Sequence, residues 1–191
     1  MSLKKFSICA SIIMSVMIVA TIIFCFVIIP APFKISEDAS SITVYNQNVS
    51  SLGKTITKSN NEKDNYEKIL KAFVETTNLS IFERAVSGAN IFSKPTQDLN
   101  QSSPTWASVK KKDVTIELSF TNKQSIIVSI NGNTKQIDFY GLALVVEDSS
   151  FVHDVEIYFK TTAGGAYTSN PIIINAKTNK LYDAITSLSF K

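Results

Sequence analysis

The stretch "DVTIELSFTNKQSIIVSINGNTKQIDFYGLALVVE", residues 113–147, alternates apolar and polar side chains over most of its length. Such a period of two is typical of strands that bury one face and expose the other. The tetrapeptide "TNKQ" predicts a turn, and Asn131-Gly132 predicts a type I′ hairpin, in which both central residues have positive φ. We therefore predict four strands, at 113–120, 125–130, 134–140 and 142–147.

The alternation continues downstream of this stretch. "VEIYFK" (155–160) and "IIIN" (172–175) predict two further strands, separated by the loop "TTAGGAYTSNP". The last segment, "TNKLYDAITSL", has apolar residues at helical spacing, with Thr178 as a candidate N-cap. The sequence thus predicts an antiparallel meander of five to six strands followed by a short C-terminal helix.

Upstream of the sheet the sequence predicts one or two helices, over 59–78 and 80–88, because apolar residues recur there at 3/4 spacing. Each segment begins with the S-x-x-E spacing of a capping box, Ser59 with Glu62 and Ser80 with Glu83. Helices that precede a run of strands indicate the α+β class. The element order resembles cystatin-like or NTF2-like folds, in which a curved sheet packs on helices; this analogy carries no function.

The N-terminal run "FSICASIIMSVMIVATIIFCFVII", residues 6–29, holds 24 residues and no charge. At 1.5 Å per residue such a helix exceeds the roughly 30 Å hydrocarbon core of a bilayer. It is also longer than the apolar region of a signal peptide, which is about 7–15 residues. We predict a retained transmembrane helix. The alternatives are a signal peptide, cleaved as far on as Ser41, and a lipoprotein attached at Cys25.

Lysines near this run predict its orientation. Lys4 and Lys5 precede it, whereas Lys34 follows it together with Glu37 and Asp38. The excess of positive charge at the N-terminus favours a cytoplasmic N-terminus and an extracytoplasmic body at the cell membrane. The predicted divisions are a cytoplasmic end (1–5), a transmembrane helix (6–29), a juxtamembrane stalk (30–58) and an extracytoplasmic domain (59–191). A short strand at "SITVYNQ" within the stalk is a weaker expectation.

Ser7, Ser11 and Ser15 recur every fourth residue in the predicted span. Small residues at this spacing let a second helix approach closely, so they are candidates for contact with a membrane-protein partner. The alternative is that serine is common in this chain and tolerated within spans.

The composition excludes several function classes. Without Lys4 and Lys5, 17 of the 19 basic residues remain against 16 acidic ones, which is too balanced for nucleic-acid binding. Both cysteines, Cys9 and Cys25, lie in the apolar run, so the distal domain has no disulfide, thiolate zinc site or cysteine nucleophile. The basic residues are almost all lysine, a usage typical of AT-rich coding in a low-GC bacterium.

The single histidine, His153, lies among Glu147, Asp148, Asp154 and Glu156 and could serve as a metal ligand or a general base. An alternating strand would direct His153 and Asp154 to opposite faces, which favours a solvated strand edge instead. Ser-His or Ser-Lys hydrolysis would need this histidine or one of many lysines as the base. We predict no metal, no cofactor and no catalytic residue.

Three lysines, Lys110, Lys111 and Lys112, follow the only tryptophan, Trp106. They form a candidate surface contact with anionic lipid headgroups or wall polymers, or else a solubilising charge run beside a strand. Taken together, the sequence predicts a membrane-anchored protein with a non-catalytic binding or scaffolding domain, whose ligand stays unknown. The alternatives are an accessory subunit acting through its transmembrane helix and an extracytoplasmic hydrolase.

Overall fold

A computed structural model describes residues 3–29, 39–59, 61–88, 94–97, 99 and 104–189. The predicted stalk up to residue 38 and most of residues 89–103 lie outside these described residues. The structure contains an N-terminal apolar helix and a mixed α+β fold. In chain order its elements are α1 (Leu3–Cys25), β1 (Ile28–Ile29), β2 (Ala39–Asn46), β3 (Ser50–Ile56), α2 (Lys63–Thr77), β4 (Leu79–Ser80), α3 (Ile81–Val86), β5 (Thr96–Gln97), α4 (Trp106–Val109), β6 (Val114–Ile130), β7 (Asn133–Val145), β8 (His153–Lys160), β9 (Ile172–Ala176) and α5 (Asn179–Thr186).

The main sheet is barrel-like. Its strands are ordered β3-β2-β6-β5-β9-β8-β7, and β6 also pairs with β7, which closes the ring. All described pairings in this sheet are antiparallel except that of β5 with β6. The long strand β6 allows the sheet to close into a ring, because its first half pairs with β2 and its last residues pair with β5.

The turn predicted at 121–124 is wrong, because β6 runs through it as one strand. Ser119 pairs with Gly141 and Gln124 pairs with Phe139, so four residues of β6 lie opposite Tyr140 alone. The extra residues form a bulge that bends the strand without ending it. As a result, the strands predicted at 113–120 and 125–130 are halves of β6, and those at 134–140 and 142–147 largely form β7. The Asn131-Gly132 hairpin is confirmed, with φ of 49° and 80°.

The sheet begins at Ala39, about 20 residues before the domain boundary predicted at residue 59. Ile42, Val44 and Ile56 are fully buried on β2 and β3, where the sequence predicts a stalk. Their neighbours are mostly Ser, Thr and Asn, and this polarity conceals a hairpin that is held in place by β6. The strand expected at "SITVYNQ" is confirmed as part of β2.

Helices α2 and α5 cover the inner face of the sheet, as the α+β prediction requires. Tyr66, Ile69 and Phe73 of α2 are buried there, and so are Leu181 and Ile185 of α5. An aromatic cluster continues this core, in which the rings of Phe139 and Phe159 meet edge to face with centroids 4.6 Å apart. Burying this apolar surface is the main stabilising contribution to the domain.

Of the three predicted N-caps, one forms the side-chain cap that the sequence predicts. Ser80 and Glu83 form the predicted capping box at the start of α3, and Gly88, with φ of 74°, follows its end. Thr178 is the N-cap residue of α5, although its hydroxyl donates to the carbonyl of Glu147 at 2.6 Å. The capping box predicted at Ser59 is wrong, because α2 begins four residues later, at Lys63.

Candidate functional site

Helix α4 creates a second, smaller cluster on the outer face of the sheet. Trp106 is 6% exposed, and its ring lies 5.5 Å from Tyr158 and 5.4 Å from Tyr167, measured between centroids. Its indole N–H donates to Glu117 Oε1 at 2.9 Å, and the Tyr167 hydroxyl donates to Glu117 Oε2 at 3.1 Å. The sequence predicts a surface contact for Trp106, whereas the structure uses its ring to cover the sheet.

The tyrosines of this cluster remain protonated donors at neutral pH. Burial raises the pKa of Tyr167, and the charge of Glu117 raises it further. Burial also raises the pKa of Tyr158, whose hydroxyl donates to Glu156 at 2.9 Å. Glu117 and Glu156 thus each accept a hydrogen bond from a phenol of the cluster, and Glu156 also lines an open groove.

The groove lies next to α4, at the start of β8, and has a volume of about 310 Å³. We name it the α4 groove. Its apolar residues are Pro104, Val109, Val145, Val155 and Ile173, and its polar residues are Lys112, Glu147, His153, Asp154 and Glu156. Three carboxylates therefore face one lysine and one imidazole, which makes the lining both apolar and predominantly acidic.

His153 is held at the groove by its own loop. Its Nδ1 lies 3.2 Å from the carbonyl oxygen of Phe151, and its Nε2 lies 4.0 Å from Glu147 Oε2. Asp154 Oδ1 accepts a hydrogen bond from the Asn175 amide at 2.7 Å. His153 and Asp154 both belong to the lining of the groove, together with the next two residues of β8, Val155 and Glu156. Among the described residues, no group of three or more His, Cys, Asp or Glu is arranged to hold a metal ion.

The three lysines of the predicted surface contact make different contacts. Lys110 Nζ lies 5.7 Å from the ring centroid of Tyr45, within range of a cation–π contact. Lys111 is exposed, and Lys112 lines the groove.

Other sequence candidates are placed apart from the groove. Ser7, Ser11 and Ser15 lie on the exposed surface of α1, where the Ser15 hydroxyl donates to the Ser11 carbonyl at 2.9 Å.

Sequence reasoning missed the roles of Glu117 and Tyr167. They are 50 residues apart, and the contact depends on β6 and the loop before β9 meeting under Trp106. A half-buried acidic residue on a strand is a weak signal of a site when the residues that bind it are not known.

Comparison of the chain with protein-family models, curated proteins and solved structures found no match.

Proposed function

We propose that this protein is anchored in the cell membrane by a single span and carries an extracytoplasmic α+β domain with a non-catalytic binding role. The observation that carries the proposal is the segment Ser7–Cys25 of α1, which is long and apolar enough to cross a bilayer and is not buried against the rest of the described protein. An apolar surface of this extent is stable in lipid and costly to expose to water.

The positions of the lysines support the direction of the span. Lys4 and Lys5 on the short N-terminal side favour a cytoplasmic N-terminus, so that the barrel-like domain lies outside the cytoplasm. The bilayer is then the first partner of the protein, and nucleic acid is not a partner.

The α4 groove supports a binding role. Its apolar floor suits a hydrocarbon body, and the excess of Glu147, Asp154 and Glu156 over Lys112 suits a cationic group. We propose a ligand that combines the two, such as an organic amine or a basic peptide side chain. None of the described residues that line the groove is a serine, threonine or cysteine.

A titration with matched probes tests the binding role. The full chain in lipid nanodiscs is titrated with cyclohexylammonium, and backbone amide chemical shifts are followed at Val155 and Ile173. Saturable shifts at these residues are expected, with at least a several-fold weaker response in Glu147→Gln/Asp154→Asn. Cyclohexanecarboxylate is the control probe of similar size and opposite charge. Equal responses to both probes, or shifts confined to other parts of the domain, would contradict the proposed groove.

An activity screen tests the non-catalytic part of the proposal. The full-length protein is assayed against a broad panel of ester, amide and glycoside substrates. No turnover above that of the His153→Ala variant is expected. Turnover that His153→Ala abolishes would instead support the extracytoplasmic hydrolase.

A second candidate function is that of an accessory subunit acting through α1. Ser7, Ser11 and Ser15 present small side chains on one exposed face of α1. The Ser15 hydroxyl donates to the Ser11 carbonyl of the same helix, so it does not project from that face. Replacing all three serines with leucine should then abolish co-purification of a membrane partner. A triple change to leucine at Ile12, Val16 and Val19 is the control. Unchanged co-purification of the serine variant would exclude this role.

A further inference from the structure

Helix α3 has the reverse of the usual surface pattern. Its charged residues face the protein: Arg84 is buried and donates to Asn175 Oδ1 at 3.0 Å, and Glu83 pairs with Lys177 at 3.3 Å. Of its large apolar residues, Ile81 at the start of the helix is buried, whereas Phe82 and Val86 face outward and are 54% and 70% exposed. These two residues are separated by one helical turn and lie on the same side. A helix whose outer side is apolar is suited to a surface that is not water.

The same helix begins where the apolar span ends. The amide of Ile81 donates to the carbonyl of Val27 at 3.0 Å, and β1 pairs with β4 through Ile28 with Ser80 and Ile29 with Leu79. Helix α1 also contacts α3. The chain therefore leaves the span and is hydrogen-bonded at once to the residues that start α3.

The length of the span sets the depth of this junction. The 19 residues of Ser7–Cys25 rise about 28 Å, close to the thickness of a bilayer hydrocarbon core. Val27 then lies at the boundary between acyl chains and headgroups, and α3 lies beside it. Phe26, Val27 and Ile28 are themselves exposed, so they continue the apolar side of α3 into the span.

We infer that α3 lies in the outer interface of the bilayer, with Phe82 and Val86 inserted among the lipids. This inference rests on the proposed membrane anchoring and extends it, because the domain is then seated on the membrane by two contacts instead of hanging from one tether. The occupant of the apolar side is the headgroup–acyl boundary of the lipid. Glu83 and Arg84 hold α3 to the sheet, so the orientation of the whole domain follows from this contact.

Spin-label accessibility tests the inference on the full chain in phosphatidylcholine vesicles. The native cysteines are replaced by Cys9→Ala and Cys25→Ala, and single labels are placed by Phe82→Cys, Val86→Cys, Ile18→Cys and Ala163→Cys. The labels at positions 82 and 86 are expected to be accessible to oxygen and to lose access to a water-soluble nickel complex. The label at 18, inside the span, should behave likewise, whereas the label at 163, in an exposed loop, should show the opposite pattern.

Each other outcome overturns the inference in a distinguishable way. Labels at 82 and 86 that contact the nickel complex, with a lipid-like label at 18, would leave the anchoring intact and place α3 in water. Labels shielded from both oxygen and nickel would mean that a protein covers α3. A water-accessible label at 18 would overturn the membrane anchoring itself, together with the position of α3.

Discussion

The two faces of the main sheet are built on different principles. The inner face is filled by apolar side chains under α2 and α5, including the fully buried Phe139, Ile69 and Leu181. The outer face has the four-residue helix α4, a small cluster around Trp106 and Tyr158, an open groove with charged residues, and the contact of α3 with Asn175. Stability therefore depends chiefly on the inner face, and residues of the outer face can be changed at lower cost. A binding site is more easily altered there without loss of the fold.

The largest expected effect is on the inner face. Phe139→Ala removes a ring that contacts Phe159 and Phe120, with centroids 4.6 and 5.9 Å away. We expect a loss of about 3–5 kcal/mol in the free energy of unfolding, from lost burial and the cavity left behind. Urea denaturation of the detergent-solubilised protein measures it. The matched control is Phe151→Ala, because Phe151 is 80% exposed and should cost less than about 0.5 kcal/mol. Similar losses for both would contradict the division between the faces.

The outer cluster should give an intermediate effect. Trp106→Phe keeps an aromatic ring but removes the N–H that Glu117 accepts at 2.9 Å. Since this leaves a half-buried carboxylate oxygen without its donor, we expect a loss of about 1–3 kcal/mol in the same denaturation assay. Combining it with Glu117→Gln should cost less than the sum of the two single changes. Additive costs would show that the hydrogen bond does not hold the cluster together.

The attachment of α3 should depend on pH. The backbone amide of Ser80 lowers the pKa of Glu83 from 4.5, and the Ser80 hydroxyl and Lys177 lower it further. Because the pKa of the folded state is below that of the unfolded state, this contribution to stability is present above pH 4.5 and is lost as the pH falls through the folded value. Glu83→Gln should therefore be less stable than the wild type at pH 7, with a difference that shrinks in acid. A difference that is constant from pH 7 to pH 3 would be inconsistent with this capping box.

The smallest expected effect is at an exposed ion pair. Lys63 and Glu67 on α2 are 3.8 Å apart, and both side chains are more than half exposed. Lys63→Ala should change the free energy of unfolding by no more than about 0.5 kcal/mol, less still in high salt. A loss of stability as large as that of Trp106→Phe would mean that the exposed surface of α2 makes a stabilising contact beyond those on the inner and outer faces of the sheet.

Local chemistry made part of the fold predictable. Asn131-Gly132 and the Ser80–Glu83 box are readable because the residues that determine them are adjacent or three apart. The bulge opposite Tyr140 could not be predicted from the sequence. A polar tetrapeptide can either end a strand or bend it, and the pairing with the neighbouring strand decides between the two. In the first hairpin only β2 was expected, and weakly, because the burial of this hairpin depends on β6, about 75 residues further along the chain.

The candidate site was less predictable than the fold. His153 and its acidic neighbours are visible in the sequence, but the groove also needs Lys112, Val109 and Ile173, which the closed ring of strands brings together. The inverted pattern of α3 is visible in "SIFERAV" only once the burial of Arg84 is known. In both places, contacts between distant residues decide which side chains are available to a partner.

Single-cysteine labelling in intact cells tests the central claim most directly. In a chain that carries Cys9→Ala and Cys25→Ala, Ala163→Cys should react with a membrane-impermeant maleimide in intact cells, and Ser2→Cys only after permeabilisation. Both variants should remain in the membrane fraction after alkaline carbonate extraction. A freely soluble chain, or a residue 163 protected until the cells are opened, would contradict a domain that is held outside the cytoplasm by an N-terminal span.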